Sequence, residues 1–271
     1  MRVRSEGTKE GEEAMTLQPN PERAAKGMWW DRAWSLVDGC TPVSAGCDHC
    51  WSRAMAARFG RKSAEVRFRE DRLLIPQRVR KPTVWAIWND LFHLSVRSVD
   101  IIEALKVMDG CRQHLFLVLT KRIKRASAFS LGAKHVGTDV WPFVSVQGFP
   151  RNMWLGTSVE DQQTVNERLP WLVSVAAEKK FVSYEPALGP VDFVLPRTGK
   201  PTINWIIAGG ETGPKARECD PEWLVRASRQ CREASVPFWF KSWGRNPGIR
   251  DAYGDPFILP AHRREFPEVG P

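Results

Sequence analysis

From residue 28 onward the chain alternates short apolar runs with longer segments whose apolar residues recur at helical spacing. The runs fall at 34–37, 84–88, 115–119, 153–156, 181–184, 205–208 and 238–240. They are continuous rather than alternating, as expected of strands covered on both faces in a parallel sheet. Helix-length segments lie between them at 51–60, 98–110, 160–174 and 220–235. In the last, Trp223, Leu224, Ala227 and Cys231 keep a 3.6-residue stripe, and Asp220-Pro221 supplies an N-cap followed by proline at the first helical position. This rhythm predicts an α/β fold, a parallel (β/α) barrel or partial TIM-like barrel spanning 28–244. Residues 1–27 are polar and read as a loose arm; the Pro- and Gly-rich stretch 245–271 reads as an irregular extension.

A second pattern sits at the strand ends. Asn89-Asp90, Thr120-Lys121-Arg122, Ser158 with Glu160, Glu185, Gly209-Gly210-Glu211 and Lys241 each follow an apolar run. The carboxyl edge of a parallel sheet is where such folds bind ligands. Glu185, Lys121 and Lys241 are therefore candidate catalytic groups. Asn89, Asp90, Ser158, Glu160, Gly209, Gly210 and Glu211 are candidate cofactor contacts. Ser158 with Asp161 also suits a helix N-cap, and the three cations at this edge suit simple pairing with Glu160, Glu185 and Glu211.

Composition narrows the class. The 271 residues are 42% hydrophobic and 26% charged, with no stretch near the roughly 20 apolar residues of a membrane span. The opening MRVRSEGTKEGEEAM has no apolar core of a secretory signal, so a cytoplasmic setting with reduced thiols is expected. The net charge is +9, and it is uneven. Segment 51–82 holds ten lysines and arginines against three acids, and segment 121–152 holds six against one. Two basic segments on a slightly acidic remainder fit a nucleic-acid groove as well as two solvated faces. Thirteen tryptophans against two tyrosines is a further bias. The chain carries no HExxH and no GxxxxGK[ST] motif, which leaves zincin and P-loop readings without support.

The densest chemistry lies in the loop 39–50, Gly-Cys-Thr-Pro-Val-Ser-Ala-Gly-Cys-Asp-His-Cys. Cys40, Cys47 and Cys50 have the spacing C-x6-C-x2-C. Structural zinc takes four closed ligands, whereas three thiolates on a four-iron cluster leave one iron free for a substrate or cofactor. A zinc site completed by His49 or His93 is the alternative. Cys111, Cys219 and Cys231 stand alone and read as packing residues.

Several blocks in order give the chain a family resemblance. They are Trp29-x-Asp31-x-x-Trp34 leading into the cysteine loop, NDLFH (89–93), LVLTKR (117–122) and WLGTSVEDQ (154–162). VSYEPALGPV (182–191), WIIAGGETG (205–213) with Arg217, and VPFWFKSWG (236–244) complete the set. The chain resembles a phage-associated family named after phage gene products thirty-seven and sixty-eight and regarded as radical SAM-like. It departs from that pattern at Trp51, where tyrosine is usual, at Ser35-Leu36 in place of Asn-Pro, and in an apparent insertion over 132–150. Its cysteine spacing also differs from the C-x3-C-x2-C of most radical SAM enzymes.

The resemblance implies a radical SAM barrel in which Cys40, Cys47 and Cys50 hold a [4Fe–4S] cluster. S-adenosylmethionine would chelate the fourth iron, and an electron from a flavodoxin- or ferredoxin-like donor would generate a 5′-deoxyadenosyl radical. The substrate implied by a phage-type family with basic flanks is a nucleic acid or modified base. The rival class is a non-catalytic nucleic-acid-binding protein stabilised by zinc or an iron–sulfur cluster.

Overall fold

Strands that bury both faces need two cores, and this chain builds one on each side of its sheet. The structure is a computed structural model that describes residues 17–87, 89–130, 148–196, 202–245 and 263–269. Its main sheet has seven strands: β1 (Arg32–Ala33), β4 (Val84–Ile87), β5 (Leu115–Thr120), β6 (Met153–Val159), β7 (Lys179–Tyr184), β8 (Trp205–Gly209) and β9 (Phe238–Ser242). They lie side by side in that order and every pairing is parallel. The sheet curls into a half-barrel, which bears out the α/β partial-barrel expectation. A separate antiparallel ribbon pairs β2 (Val37–Asp38) with β3 (Arg67–Phe68). The cysteine loop and helix α2 (Trp51–Arg58) are an excursion between these two short strands.

Four longer helices follow strands: α3 (Ser98–Gly110), α4 (Ile123–Ser130), α5 (Gln162–Ser174) and α6 (Pro221–Glu233). Their ends are chemically specified. Asp161 accepts from the Thr164 backbone at 2.9 Å while the Thr164 hydroxyl accepts from the Asp161 N–H at 3.1 Å, a reciprocal capping box. Asp220 caps α6 and Pro221 opens it. The cap of α5 is thus Asp161, and Ser158 lies inside β6 instead. These helices cover the outward strand positions, among them Phe116, Val118, Leu155, Val182, Ile206 and Phe238.

The inward positions make the second core. Val84, Leu115, Leu117, Trp154, Phe181, Trp205, Ile207 and Trp239 form one cluster with Trp29. Trp205 is its hub, with ring centroids 5.9 Å from Trp29, 6.3 Å from Trp154 and 5.9 Å from Trp239, all edge-to-face. A curled sheet of seven strands leaves a wide interior, and indole rings are the largest side chains available to fill it. Four of the thirteen tryptophans, Trp29, Trp154, Trp205 and Trp239, serve this filling.

The ends of the chain join in. Residues 17–27, expected in a loose arm, include the Asn20-capped helix α1 (Pro21–Ala25), and the Gly27 carbonyl accepts from Trp239 Nε1 at 3.0 Å. Within the stretch expected as an irregular extension, Arg264 bridges to Trp239 and Phe266 stacks on Trp154 at 5.3 Å. Residues 1–16, most of the apparent insertion 132–150, and 246–262 lie outside the described residues. The run 34–37 also resolves differently: β1 precedes it, and Trp34 and Leu36 pack as single buried residues before β2 begins. Helix α4 leaves no clear stripe in the sequence because its eight residues carry two cations and four serine or alanine positions. Among the described residues no helix is long and apolar enough to cross a membrane.

Trp205→Ala should cost about 3–5 kcal/mol, read as a lowered urea midpoint at nearly unchanged slope. Trp205→Phe should cost less, since it keeps most contacts and loses the Nε1 bond to the Glu265 carbonyl.

Candidate functional site

The inward side of each strand changes character toward its carboxyl end. On β5 the inward series Leu115, Leu117, Leu119 continues to Lys121; on β6, Trp154 and Gly156 lead to Ser158 and Glu160. Phe181 leads to Glu185, Trp205 to Glu211, and Trp239 to Lys241 by the same two-residue step. Apolar floor and polar mouth are one alternation. A cavity of about 390 Å³ opens at this mouth, lined by Lys121, Ser158, Ser183, Glu185, Glu211 and Lys241 from the strand ends. Cys40, Cys47 and Cys50 line the same cavity from the excursion above it.

Three buried carboxylates join the two sides. Glu160 is fully buried and pairs with Lys121 and, at 3.2 Å, with Arg168 from α5; its Oε1 also accepts from Ser44 of the cysteine loop at 3.0 Å. Lys121 Nζ donates onward to Ser44 Oγ at 3.2 Å. Gly46 lies so close that a Cβ there would stand 2.6 Å from Glu160 Cγ. Asp90 accepts from Thr120 at 2.6 Å and from Arg122 at 2.8 Å, and Arg122 reaches on to the Thr41 carbonyl and hydroxyl at 3.1 and 2.7 Å. Glu211 accepts from the Arg217 backbone N–H and side chain at 2.6–2.8 Å and contacts His49 Nδ1 at 3.1 Å, while Arg217 also donates to the Ala45 carbonyl at 2.9 Å. Each pair satisfies a buried charge and tethers one stretch of the loop.

The thiols sit in unequal fields. Burial and Asp90 push the Cys40 thiol up, against the opposing pull of Arg122 at 3.9 Å. Burial acts the same way on Cys47, but Lys121, whose Nζ is 3.6 Å from the sulfur, and hydrogen bonds from Val43 and Ser44 outweigh it and lower its value. Burial lifts Cys219 to about 12, and Cys111 and Cys231 are also raised and buried, in keeping with packing. The two histidines considered as zinc ligands are engaged elsewhere. The Ser95 N–H donates to His93 Nδ1 at 3.1 Å, so Nε2 carries the proton it shares with Thr41 at 2.7 Å; burial and Arg122 both disfavour the protonated imidazolium. His49 faces Glu211. Among the described residues no set of three or more His, Cys, Asp or Glu side chains forms a group that could hold a metal ion.

The sequence candidates separate into two groups. Glu185 and Lys241 pair with each other across β7 and β9 and line the cavity with Ser158, Asp90 and Asn89. Glu160, Gly209 and Gly210 do not line it. A Cβ on Gly209 would meet Ser242 of β9, and one on Gly210 would meet the Trp243 backbone, so these glycines permit close strand packing rather than ligand approach. Asn89, at φ 60°, donates to the Val37 carbonyl at 2.6 Å and accepts from Ser52 at 2.8 Å, tying the start of α2 to β2. Sequence reasoning passed over Arg168 and Ser44, and noted Thr120 and Arg217 without giving either a role. Arg168 had a signal: it occupies a core position in the stripe Val165, Leu169, Leu172, where an arginine needs a buried anion.

The chain belongs to a family described as a protein of unknown function (DUF5131), whose profile matches residues 24–252. That span takes in the half-barrel and the cysteine excursion. No curated protein and no solved structure matches the chain.

The Glu211 pairing has a pH signature. Burial raises this carboxyl, but the Arg217 and His49 bonds dominate and bring it from 4.5 to about 2. Its contribution is therefore fully present above about pH 4.5 and is lost as pH falls through about 2, with an upper bound near 3 kcal/mol. Glu211→Gln should be less stable than the parent chain at pH 6. The gap should close between pH 4.5 and 2 in denaturant titrations at stepped pH.

Proposed function

We propose that Cys40, Cys47 and Cys50 hold a [4Fe–4S] cluster with one free iron and that the chain is a radical S-adenosylmethionine enzyme. The observation that carries this reading is that these three thiols, and no other cysteine among the described residues, line the polar mouth of a parallel half-barrel. In kind and spacing the donors suit the group: the C-x6-C-x2-C loop offers three thiolates, which on a four-iron cluster leave one iron open to a cofactor. Held by Cys40, Cys47 and Cys50, such a cluster would supply the one-electron reduction that cleaves the sulfonium bond of S-adenosylmethionine.

The chain's own residues prepare that chemistry. Lys121 and Arg122 place positive charge beside the Cys47 and Cys40 sulfurs, which offsets the charge of thiolates taken partly out of water. Glu185 and Lys241 present an anion and a cation side by side at the mouth, a match for the ammonium and carboxylate of an amino acid. The Ser158 and Ser183 hydroxyls, neighbours across β6 and β7, offer donors and acceptors to a ribose. Trp29 and Leu119 line the inner wall and keep water from the floor. Glu160, Asp90 and Glu211 are positioning residues in this reading, since their oxygens are committed to the loop's tethers. A small flavodoxin- or ferredoxin-like protein is the expected source of the electron.

Protein purified and reconstituted without oxygen should be brown and hold about four irons per chain. Ala at Cys40, Cys47 or Cys50 should remove them, and Cys111→Ala should not. Reduced, loaded protein should release 5′-deoxyadenosine from S-adenosylmethionine. Colourless, iron-free protein with one zinc per chain would overturn the reading in favour of a structural metal. An intact cluster whose electron paramagnetic signal ignores S-adenosylmethionine would overturn the enzyme assignment alone.

A further inference from the structure

One border of the cavity mouth is α2 with the turn after it, and this excursion buries no residue of its helix. Phe59 is 63% exposed and Met55 45% exposed, and both line the cavity. Arg53, Arg61 and Lys62 line it between and beside them. The Arg61 guanidinium stands 5.9 Å from the Phe59 ring centroid. Lys62 pairs with Glu65 at 2.9 Å, but both side chains are more than two-thirds exposed, so water screens the pair. The whole segment 51–82 carries a net +7.

Apolar side chains set singly among cations make a poor protein interface, whose core loses charged residues. They make a good stacking platform, because every base has a π-face and every nucleotide brings a phosphate. A duplex hides its base faces, and a base must leave the stack before it can enter an enclosed site. We propose that this rim docks single-stranded nucleic acid, with one unpaired base stacked on Phe59 at the cavity entrance and the flanking phosphates on Arg53, Arg58, Arg61 and Lys62. The proposal deepens the reading of the chain as a radical enzyme by naming its substrate class, and it rests on that reading only for the chemistry after docking. The docking itself needs no cluster.

Fluorescence anisotropy with labelled 12-nucleotide RNA and DNA strands, and with the matching duplexes, tests it across a salt series. Single strands should bind more tightly than duplexes, and the RNA and DNA arms identify the sugar. The logarithm of affinity should fall with that of salt at a slope of about −3, as four phosphate contacts on a single strand require. Phe59→Ala should weaken binding roughly tenfold at every salt concentration with the slope unchanged. Arg61→Glu with Lys62→Glu should flatten the slope. These side chains are exposed, so the variants should keep the parent's urea midpoint. Equal affinity for duplex and single strand, or no response to either variant, overturns the proposal. A dimer in sedimentation that Phe59→Ala abolishes would also overturn it and assign the rim to a second copy of the chain. Iron content and 5′-deoxyadenosine release are read on the same preparations. A loaded, S-adenosylmethionine-cleaving protein that ignores single strands sinks this inference alone, and strand binding by an iron-free protein sinks the cofactor reading alone.

Discussion

Burying a carboxylate is costly unless a cation and further donors come with it, and this constraint organises the mouth of the half-barrel. Asp90, Glu160 and Glu211 lie just past the ends of different strands, β4, β6 and β8, and each is 5% exposed or less. The cations come from the end of a neighbouring strand (Lys121, Arg122), from a helix (Arg168) and, for Glu211, from further along its own segment after β8 (Arg217). Lys121, Arg122 and Arg217 do not stop at the carboxylate. Their remaining N–H groups reach Ser44, Thr41 and Ala45, so satisfying the buried charge and fixing the cysteine loop are one act. A loop of small and polar residues with no core of its own holds its shape this way.

The same economy of roles appears one layer down. Seven strands in sequential order leave β1 and β9 unpaired with each other, so the interior is open on one side. Indoles from β6, β8 and β9 fill it, and pieces from both ends of the described chain, Trp29 and Phe266, close over them. Trp205 and Trp239 each satisfy their N–H on a backbone carbonyl of those end pieces. Large rings with one polar edge suit a wall that must be apolar inside and anchored outside.

How much of this was legible depends on the property each signal measures. Continuous apolar runs mark strands buried on both faces, and six of the seven runs fall on β4 to β9. The first run failed because Trp34 and Leu36 are buried without belonging to a strand. Polar residues after the runs located the mouth, since the two-residue alternation carries straight through from floor to rim. Their partners were not legible. Glu160 reads the same whether it faces a ligand or Arg168, and only the fold brings residues 44, 121, 160 and 168 to one point. Gly209 and Gly210 show the same limit: paired glycines after a strand permit close approach, but sequence does not say of what.

Two layers held by different forces give the molecule a division of labour. The floor is large apolar surface, and its stability is spread over many contacts that no single polar change removes. The mouth depends on a few charge pairs, each of which carries one tether of the loop. The start of α2 is tied through Ser52 to Asn89, which also holds the Val37 carbonyl of β2, and its helix buries no residue. Exposure rises from floor to mouth to rim, and direct access to a ligand rises with it. A rim that contributes little to folding is free to vary its aromatic and basic side chains, and so to change what enters the cavity, without disturbing the three cysteines whose placement is set from below.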